Sequence, residues 1–385
     1  METRGGEGEA GPMHHARSRA LAALVGLAIS VAVPGAAAAL ESWECDVMRS
    51  HMLDLARPLL TPEGRVIYAA KLDDSPQYSI CSRLTAAHYR CVLDARSYAA
   101  AKACFEGPSL LELPAAPDVD TTAAVDLAGP PEPDPAVLAQ IGAARTFAIT
   151  VDDTSDSAAA SAKQLVATIK GLLVAAKLKP AARGRPADLT VALRVTGTAV
   201  ALPYEEISTK RKSQEYTATV LTGAVTFTLA DGAQIVRPFD LESVPTDRWP
   251  ISTSHPRPRD APWGRAFLGS GGPAQQLLAV LLRSRGPAAL FHVLRHARRY
   301  DGLLPFTIAS ELVHTPPAYL PEIRAALRDK LATVRAAAAE ALGSMGEPGD
   351  LALLEKLARD RSPDVVRAAA SARHLLSIPK RAPAP

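Results

Sequence analysis

An acidic cluster near the middle of the chain contains residues that could bind a metal ion or a phosphate. Asp152, Asp153 and Asp156 follow a predicted strand and precede a predicted helix. The cluster lacks the spacing of a calcium loop and has no histidine beside it. We interpret Asp156 or Ser157 instead as a helix N-cap, whose side-chain oxygen accepts a backbone N–H. The sequence therefore predicts no metal site here.

Motifs that carry catalysis in many enzymes are absent from the sequence. There is no GxSxG elbow, no Walker phosphate loop and no HExxH pair. We therefore expect no catalytic residue, no metal and no cofactor. This points to binding rather than to catalysis.

The N-terminal segment, 1–39, has the pattern of a secretory signal peptide. A basic stretch at 14–19 precedes an apolar run at 20–33, and small residues follow at 34–39. The apolar run is short for a membrane span, so an uncleaved anchor is the weaker alternative. We expect export to the periplasm or the extracellular space.

Four cysteines lie in a predicted small helical domain, 41–106. An even number in an exported chain favours two disulfides over free thiols. Zinc binding is a weaker alternative, because no CxxC or HxxxH pair supplies close ligands.

The predicted helix 77–94 restricts how these cysteines can pair. Cys81 and Cys91 lie on one face of it, roughly 15 Å apart along its axis, so they cannot bond to each other. If the neighbouring helices pack in an up-down-up arrangement, Cys45 lies beside Cys91 and Cys81 lies beside Cys104. We predict these two disulfides.

Two proline-rich segments, 107–144 and 245–272, are predicted to be linkers. The first is acidic and contains no Lys or Arg, so it should stay extended. The alternative is that it docks on the basic C-terminal part of the same chain. Residues 40–144 hold eight basic and fifteen acidic side chains, whereas 254–385 hold nineteen and eleven. This asymmetry makes an intramolecular contact possible.

Alternating apolar residues predict an α+β domain at 145–244. Residues 147–151 and 189–195 alternate as half-buried strands, and an apolar helical pattern lies between them. In a third apolar stretch the parity changes at 220–221, which predicts a β-bulge or a strand break. Asp231-Gly232 predicts a hairpin turn. We expect one helix on a mainly antiparallel sheet.

A repeated segment occupies the last part of the chain. Asp329 is followed by Val334-Arg335 and a run of alanines, and Asp360 by Val366-Arg367 and a second run. The period of about 31 residues is typical of a two-helix solenoid unit.

This segment resembles the HEAT repeat, in particular the HEAT-like repeat of the phycobilisome-lyase type. The resemblance implies an α-solenoid at 273–378, with helix pairs at 287–314, 316–343 and 348–377. It also implies structural roles, in which the valines enter the core and the charged residues contact neighbouring repeats. These structural residues are Asp329, Val334, Arg335, Asp360, Val366 and Arg367.

The predicted fold is thus multidomain and mainly α, with a disulfide-linked helical module, a central antiparallel sheet with one helix, and a C-terminal α-solenoid of HEAT-like helix pairs. A group of arginines within and just before the first repeat unit is the candidate binding surface, unless it is only a solvated helix face. Its members are Arg283, Arg285, Arg295, Arg298 and Arg299.

We expect an exported, non-enzymatic scaffold that binds a protein partner through the solenoid. The first alternative is a cell-envelope assembly component whose central domain binds the ligand. The second is a hydrolase or lyase with an unrecognised site. Contact with a membrane surface stays open, and no nucleic-acid partner is expected for an exported chain.

Overall fold

The computed structural model describes nine segments of the chain: 42–72, 84–105, 119–127, 131–155, 158–204, 214–243, 266–268, 271–296 and 303–377. The predicted signal peptide and most of the second predicted linker lie outside these segments. Within them, no helix is long and apolar enough to cross a membrane.

The N-terminal part of the described chain is helical. It comprises α1 (Ser42–Ala56), a 3₁₀ turn (Arg57–Leu59), α2 (Pro62–Leu72), α3 (Ala86–Asp94) and α4 (Tyr98–Lys102). Met52, Tyr68, Val92 and Tyr98 are buried in its core. The rings of Tyr68 and Tyr98 meet edge to face, with centroids 5.9 Å apart. A helical module therefore forms where the sequence predicts one.

The predicted disulfide pairing is wrong. Cys91 bonds to Cys104, with Cα atoms 5.8 Å apart, so the predicted Cys45–Cys91 and Cys81–Cys104 pairs do not form. The reason is the length of α4. Its five residues rise only about 7.5 Å, so Cys104 reaches the last turns of α3, where Cys91 lies.

Two parts of the predicted 107–144 linker are packed rather than extended. Val125 and Leu127 pack against the N-terminal helical core, and the backbone N–H of Val125 donates to Arg96 O at 2.8 Å. Farther on, α5 (Pro135–Ala143) begins at a proline and is capped by Asp134, whose carboxylate accepts from Ala136 N at 2.7 Å. Local capping and apolar residues thus order segments that their acidic composition alone would leave extended.

A five-stranded sheet forms the centre of the molecule, in the order β2-β1-β3-β4-β5. The strands are β1 (Thr146–Asp153), β2 (Lys179–Pro180), β3 (Leu189–Tyr204), β4 (Gln214–Leu229) and β5 (Gln234–Ser243), with α6 (Ala158–Ala175) after β1. β1 runs parallel to β2 and β3, whereas β3, β4 and β5 are antiparallel. The sheet is therefore mixed, and α6 connects the parallel neighbours β1 and β2.

Different parts of the chain cover the two faces of this sheet. Odd-numbered residues such as Leu193, Val225 and Phe227 are buried on the first face, within the core that also includes α6. Even-numbered Val200 and Val220 lie on the second face and cluster with other residues there. Alternation along a strand places the two sets on opposite sides.

The predicted β-bulge at 220–221 is wrong, because the β3–β4 pairing is uninterrupted. It runs from Leu189 opposite Leu229 to Tyr204 opposite Gln214. The apolar parity changes because the buried face changes. Val66 of α2 packs on Val200 and Val220 at the far end of the hairpin, on the second face.

Buried ion pairs join the N-terminal helices to that second face. Arg57 donates from Nε and Nη2 to the carboxylate of Glu242, each at 3.1 Å. Arg65 donates from Nε to Glu242 at 2.5 Å and also pairs with Asp240. The side chain of Glu242 is 1% exposed. Because a buried carboxylate needs such donors, these contacts fix where α2 sits on the sheet.

In the described chain after the sheet, seven α-helices have seven or more residues. They are α7 (Pro273–Arg285), α8 (Pro287–His296), α9 (Leu303–Leu312), α10 (Leu320–Ala326), α11 (Ala332–Met345), α12 (Leu351–Leu357) and α13 (Pro363–Ser377). The pairs α8/α9, α10/α11 and α12/α13 fall within the predicted units. Prolines at 287, 317, 348 and 363 stand at or near the helix starts, where the missing N–H costs nothing.

The 31-residue spacing between the second and third pairs corrects one predicted equivalence between their residues. Buried Val334 and Ala338 recur 31 residues later as buried Val365 and Ala369. Val366 is only half-buried and occupies the place of Arg335. The prediction that Val366-Arg367 repeats Val334-Arg335 is therefore wrong by one residue, because a run of alanines shifts along the sequence without changing its apolar pattern.

One continuous hydrophobic core links the sheet to the repeats. It extends from Ile141 to Leu376 and includes α7 between the two parts. Leu277, Leu278 and Leu281 of α7 are at most 1% exposed. Ala279, Val280 and Leu282 are buried as well, so the stretch 277–282, which is longer than one turn, is covered on every side. The predicted domains 145–244 and 273–378 thus share a core.

Shortening a side chain in α7 should destabilise both parts together. Leu281→Ala should lower the free energy of unfolding by about 2–5 kcal/mol, because the residue is fully buried and leaves a cavity. Hydrogen exchange in increasing urea should show β3 and α11 losing protection at the same lowered concentration. Leu331→Ala, at a 40% exposed position, is the control with little change. Loss of protection in β3 alone contradicts the shared core.

Neutralising Glu242 should loosen the N-terminal helices. Among the described residues, Glu242→Gln leaves Arg57 and Arg65 with only the more exposed Asp54 and Asp240 as charged partners, which should cost about 1–3 kcal/mol at this junction. Hydrogen exchange in Pro62–Leu72 should accelerate while exchange in α11 does not. Glu322→Gln, at an exposed position, is the matched control. Unchanged exchange in α2 contradicts the role given to Glu242.

Candidate protein-binding surface

Close helix packing holds the three repeat pairs together. The second helices of the pairs, α9, α11 and α13, pack side by side. A Cβ atom added at Gly343 of α11 would lie 2.8 Å from Ala372 Cα of α13. Small residues at the contact therefore let these helices approach more closely than larger side chains would.

Three cross-pair ion pairs connect successive repeats. Arg295 Nε donates to Asp329 Oδ2 at 2.8 Å, joining the first pair to the second. The second pair is joined to the third by Arg324 with Asp350 and by Arg335 with Asp360. Arg335 is bidentate, with contacts of 2.8 and 2.7 Å. A guanidinium that donates two parallel hydrogen bonds to one carboxylate fixes the orientation of the two groups as well as their distance.

The two loop aspartates also accept hydrogen bonds from the backbone just before the next helix, as in Asx turns. Asp329 Oδ1 accepts from Leu331 N at the start of α11, and Asp360 Oδ1 accepts from Ser362 N before α13, each at 2.9 Å. The hydrogen bond from Arg335 lowers the pKa of Asp360. Burial tends to raise the pKa of Asp329, but the Leu331 N–H and Arg295 outweigh it and the pKa is lowered. Both carboxylates are thus held in the charged form.

We call the three cross-pair ion pairs described above the ladder. Arg367 is not part of it. It pairs with Asp364 of its own helix, and both side chains are exposed. The structure therefore places Asp329, Arg335 and Asp360 in cross-pair contacts and Arg367 on the surface. The shifted register explains the difference, because Val366 occupies the position equivalent to Arg335.

The predicted basic surface already has internal partners at its three described positions. Arg283 pairs with Glu132 of the predicted acidic linker at 3.0 Å. Arg285 Nη2 donates to Ile141 O at 3.3 Å and to Ala144 O, at the end of α5. Burial lowers the pKa of Arg285. Arg295 belongs to the ladder, while Arg298 and Arg299 lie outside the described residues. A binding role for this group stays a prediction.

Exposed and half-buried residues of the second helices recur at equivalent positions in the three pairs. We call this set of residues the second-helix face, and it comprises Phe306 and Ser310 on α9, Ala336, Glu340 and Ser344 on α11, and Arg367 and Ser371 on α13. Equivalent positions recur 30 and then 31 residues along the chain, as in the series 310, 340, 371. The repeat therefore aligns these side chains across neighbouring helices.

Phe306 and Glu340 are the largest apolar and the one acidic residue of the second-helix face. Phe306 is 74% exposed, the most exposed of the large apolar residues in the described chain. An aromatic ring held in water on a rigid helix is a typical anchor for a partner. Glu340 lies half-buried among small residues, and burial raises its pKa. The face combines an apolar protrusion with a partly desolvated carboxyl.

The central acidic cluster does not form a metal site within the described residues, where no group of three suitable ligands occurs. Asp152 lies 3.4 Å from Arg194, and both are exposed. Asp153 accepts a hydrogen bond from Ser155 N at 3.0 Å. Asp156 lies outside the described residues. Local hydrogen bonding and a surface ion pair account for the two described aspartates.

Comparison with known proteins gives one match. Residues 304–373 match the family model described as HEAT repeats, which covers α9 to α13. No curated protein and no solved structure matches the chain. The segment 304–373 is therefore similar to HEAT repeats, and the remainder of the chain, including α8, has no family match.

The ladder should make stability depend on pH. The lowered pKa of Asp360 means that its contribution is present above its ordinary value near 3.8 and is lost as pH falls through the lowered pKa. Asp360→Asn should therefore destabilise the protein most above pH 4, with the difference shrinking toward pH 2. Urea midpoints across this range measure it.

Asp364→Asn is the control, because the exposed Asp364–Arg367 pair should contribute less than about 0.5 kcal/mol. Equal effects of the two substitutions at neutral pH would contradict a structural role for the ladder.

Proposed function

We propose that this protein is an exported, non-enzymatic scaffold that binds a partner protein through its HEAT repeats. The observation that carries the proposal is the second-helix face, whose exposed and half-buried residues recur in all three pairs and whose helices are held in register by the ladder. HEAT repeats commonly mediate protein interactions, and a preorganised surface loses little entropy on binding.

Two features support export to the periplasm or the extracellular space. Residues 1–39 have the pattern of a signal peptide. The Cys91–Cys104 disulfide suits an oxidising compartment, since such bonds are rarely kept in the cytosol.

The rest of the described chain supports one end of the repeats. The sheet and α6 share a core with α7 and α8, so the first repeat pair is anchored on a folded base. The second-helix face lies on α9, α11 and α13, beyond that base. The arrangement suits a protein that displays a binding surface from a rigid support.

The first test replaces the exposed ring of Phe306 with a charged side chain. Phe306→Asp should abolish recovery of the partner from an envelope or secreted fraction, because it places a carboxylate where an apolar contact is expected. Val236→Asp, on the 52% exposed surface of β5, is the matched control. Both variants should keep the thermal stability of the unaltered protein.

A second candidate function is a cell-envelope assembly component whose central domain binds the ligand. One observation favours it: the part of the second sheet face that α2 does not cover leaves Thr150, Arg194 and Val236 exposed. The same pair of variants separates the candidates. Loss of the partner in Val236→Asp, with full recovery by Phe306→Asp, moves the binding site from the repeats to the sheet.

A further inference from the structure

A basic–Asp–basic tripeptide occupies the loop inside two successive repeat pairs. Arg328 and Lys330 flank Asp329 between α10 and α11, and Arg359 and Arg361 flank Asp360 between α12 and α13. The four basic residues are exposed and recur at the 31-residue period. We call Arg328, Lys330, Arg359 and Arg361 the loop-edge row.

Internal partners neutralise the aspartates of this edge but not its basic side chains. Asp329 is bound by Arg295 and Asp360 by Arg335, so neither carboxylate is free to compensate its neighbours. No described carboxylate lies within ion-pair distance of the four side chains of the row. The ladder thus leaves a net positive edge.

The repeat sets the spacing of this charge. Neighbouring packed helices lie about 8–10 Å apart, so equivalent residues such as Arg328 and Arg359 should be separated by about one helix spacing. An extended peptide in the polyproline II conformation rises about 3.1 Å per residue and turns once in three residues, so every third side chain lies on the same side and three residues span about the same distance. Carboxylates at every third position of an extended segment would therefore match the row.

The described acidic segment of this chain is engaged elsewhere. Residues 119–127 pack against the N-terminal helices, and Glu132 pairs with Arg283 of α7. Neither contact involves the loops of the second and third pairs. These contacts favour an occupant from another molecule.

We propose that the loop-edge row binds an acidic, extended segment of a partner protein, with carboxylates spaced about 10 Å apart. The proposal rests on the proposed function, since it names the class of partner that the repeats take. Attraction of this kind selects among partners and accelerates their encounter. The row would guide an acidic segment along the edge while the second-helix face provides apolar contact.

Fluorescent peptides test the spacing with the chain from residue 40 to 385. One peptide carries aspartate at every third position among serine and alanine, and a second has the same composition with its aspartates adjacent. Anisotropy in about 0.1 M salt, where the Debye length is about 10 Å, should show at least about tenfold tighter binding of the spaced peptide. Equal affinities for the two peptides overturn the proposal.

Two charge-reversed variants test whether the spaced peptide binds at the loop-edge row. R328E/K330E/R359E/R361E should lose at least about tenfold in affinity for the spaced peptide. K163E/K170E/R183E/R185E changes the net charge equally at exposed positions of the sheet region and should bind normally. A spaced lysine peptide should bind the first variant and not the second. If the first variant does not fold, R328Q/K330Q/R359Q/R361Q takes its place. Equal loss in both sets overturns the proposal.

Vesicles containing phosphatidylserine provide the remaining comparison. If the row variant loses vesicle binding but binds the spaced peptide normally, the row is a membrane contact and the proposal is wrong. Recovery of the native partner from an envelope or secreted fraction distinguishes failure of the acidic-segment inference from failure of the scaffold function. If the row variant recovers it and Phe306→Asp does not, the acidic-segment inference fails while the scaffold function stands.

Discussion

The burial of α7 on all sides is the constraint on which the rest of the structure depends. All six residues from Leu277 to Leu282 of α7 are buried, so this part of the helix cannot lie at a surface, and the sheet and the repeats cover different sides of it. This requirement joins two parts of the chain that differ in secondary structure. It also explains why the repeat pairs begin against a folded base, with their later helices left for contact with other molecules.

Charged residues hold the remaining parts in register. Glu242 binds two arginines from the N-terminal helices, and the ladder aspartates bind arginines from the preceding pair. These carboxylates combine ion pairing with hydrogen bonding, which offsets the cost of removing them from water. The packing of alanines alone would permit sliding, because one alanine resembles the next. The bidentate Arg335–Asp360 contact selects a single register.

The sequence indicated the parts of the fold that local patterns determine. Apolar spacing and prolines such as Pro287 and Pro348 were sufficient to place the three helix pairs, because helix starts depend on nearby residues. Features that depend on distant contacts were missed. The parity change at 220–221 reflects a helix from another part of the chain, and the Cys91–Cys104 bond reflects how short α4 is. The internal partners of Arg283 and Arg285 are equally remote in sequence. The one signal that could have revealed the loop-edge row was the repeated basic–Asp–basic tripeptide.

The central claim is that the sheet and the repeats form one body through α7, so that binding uses surfaces fixed relative to each other. Native-state hydrogen exchange of the α7 amides tests this claim most directly. The account predicts that these amides exchange only by global unfolding, with the same free energy as the slowest amides of β3 and α11. Exchange of α7 through a local opening, at a much lower free energy than either neighbour, would contradict it.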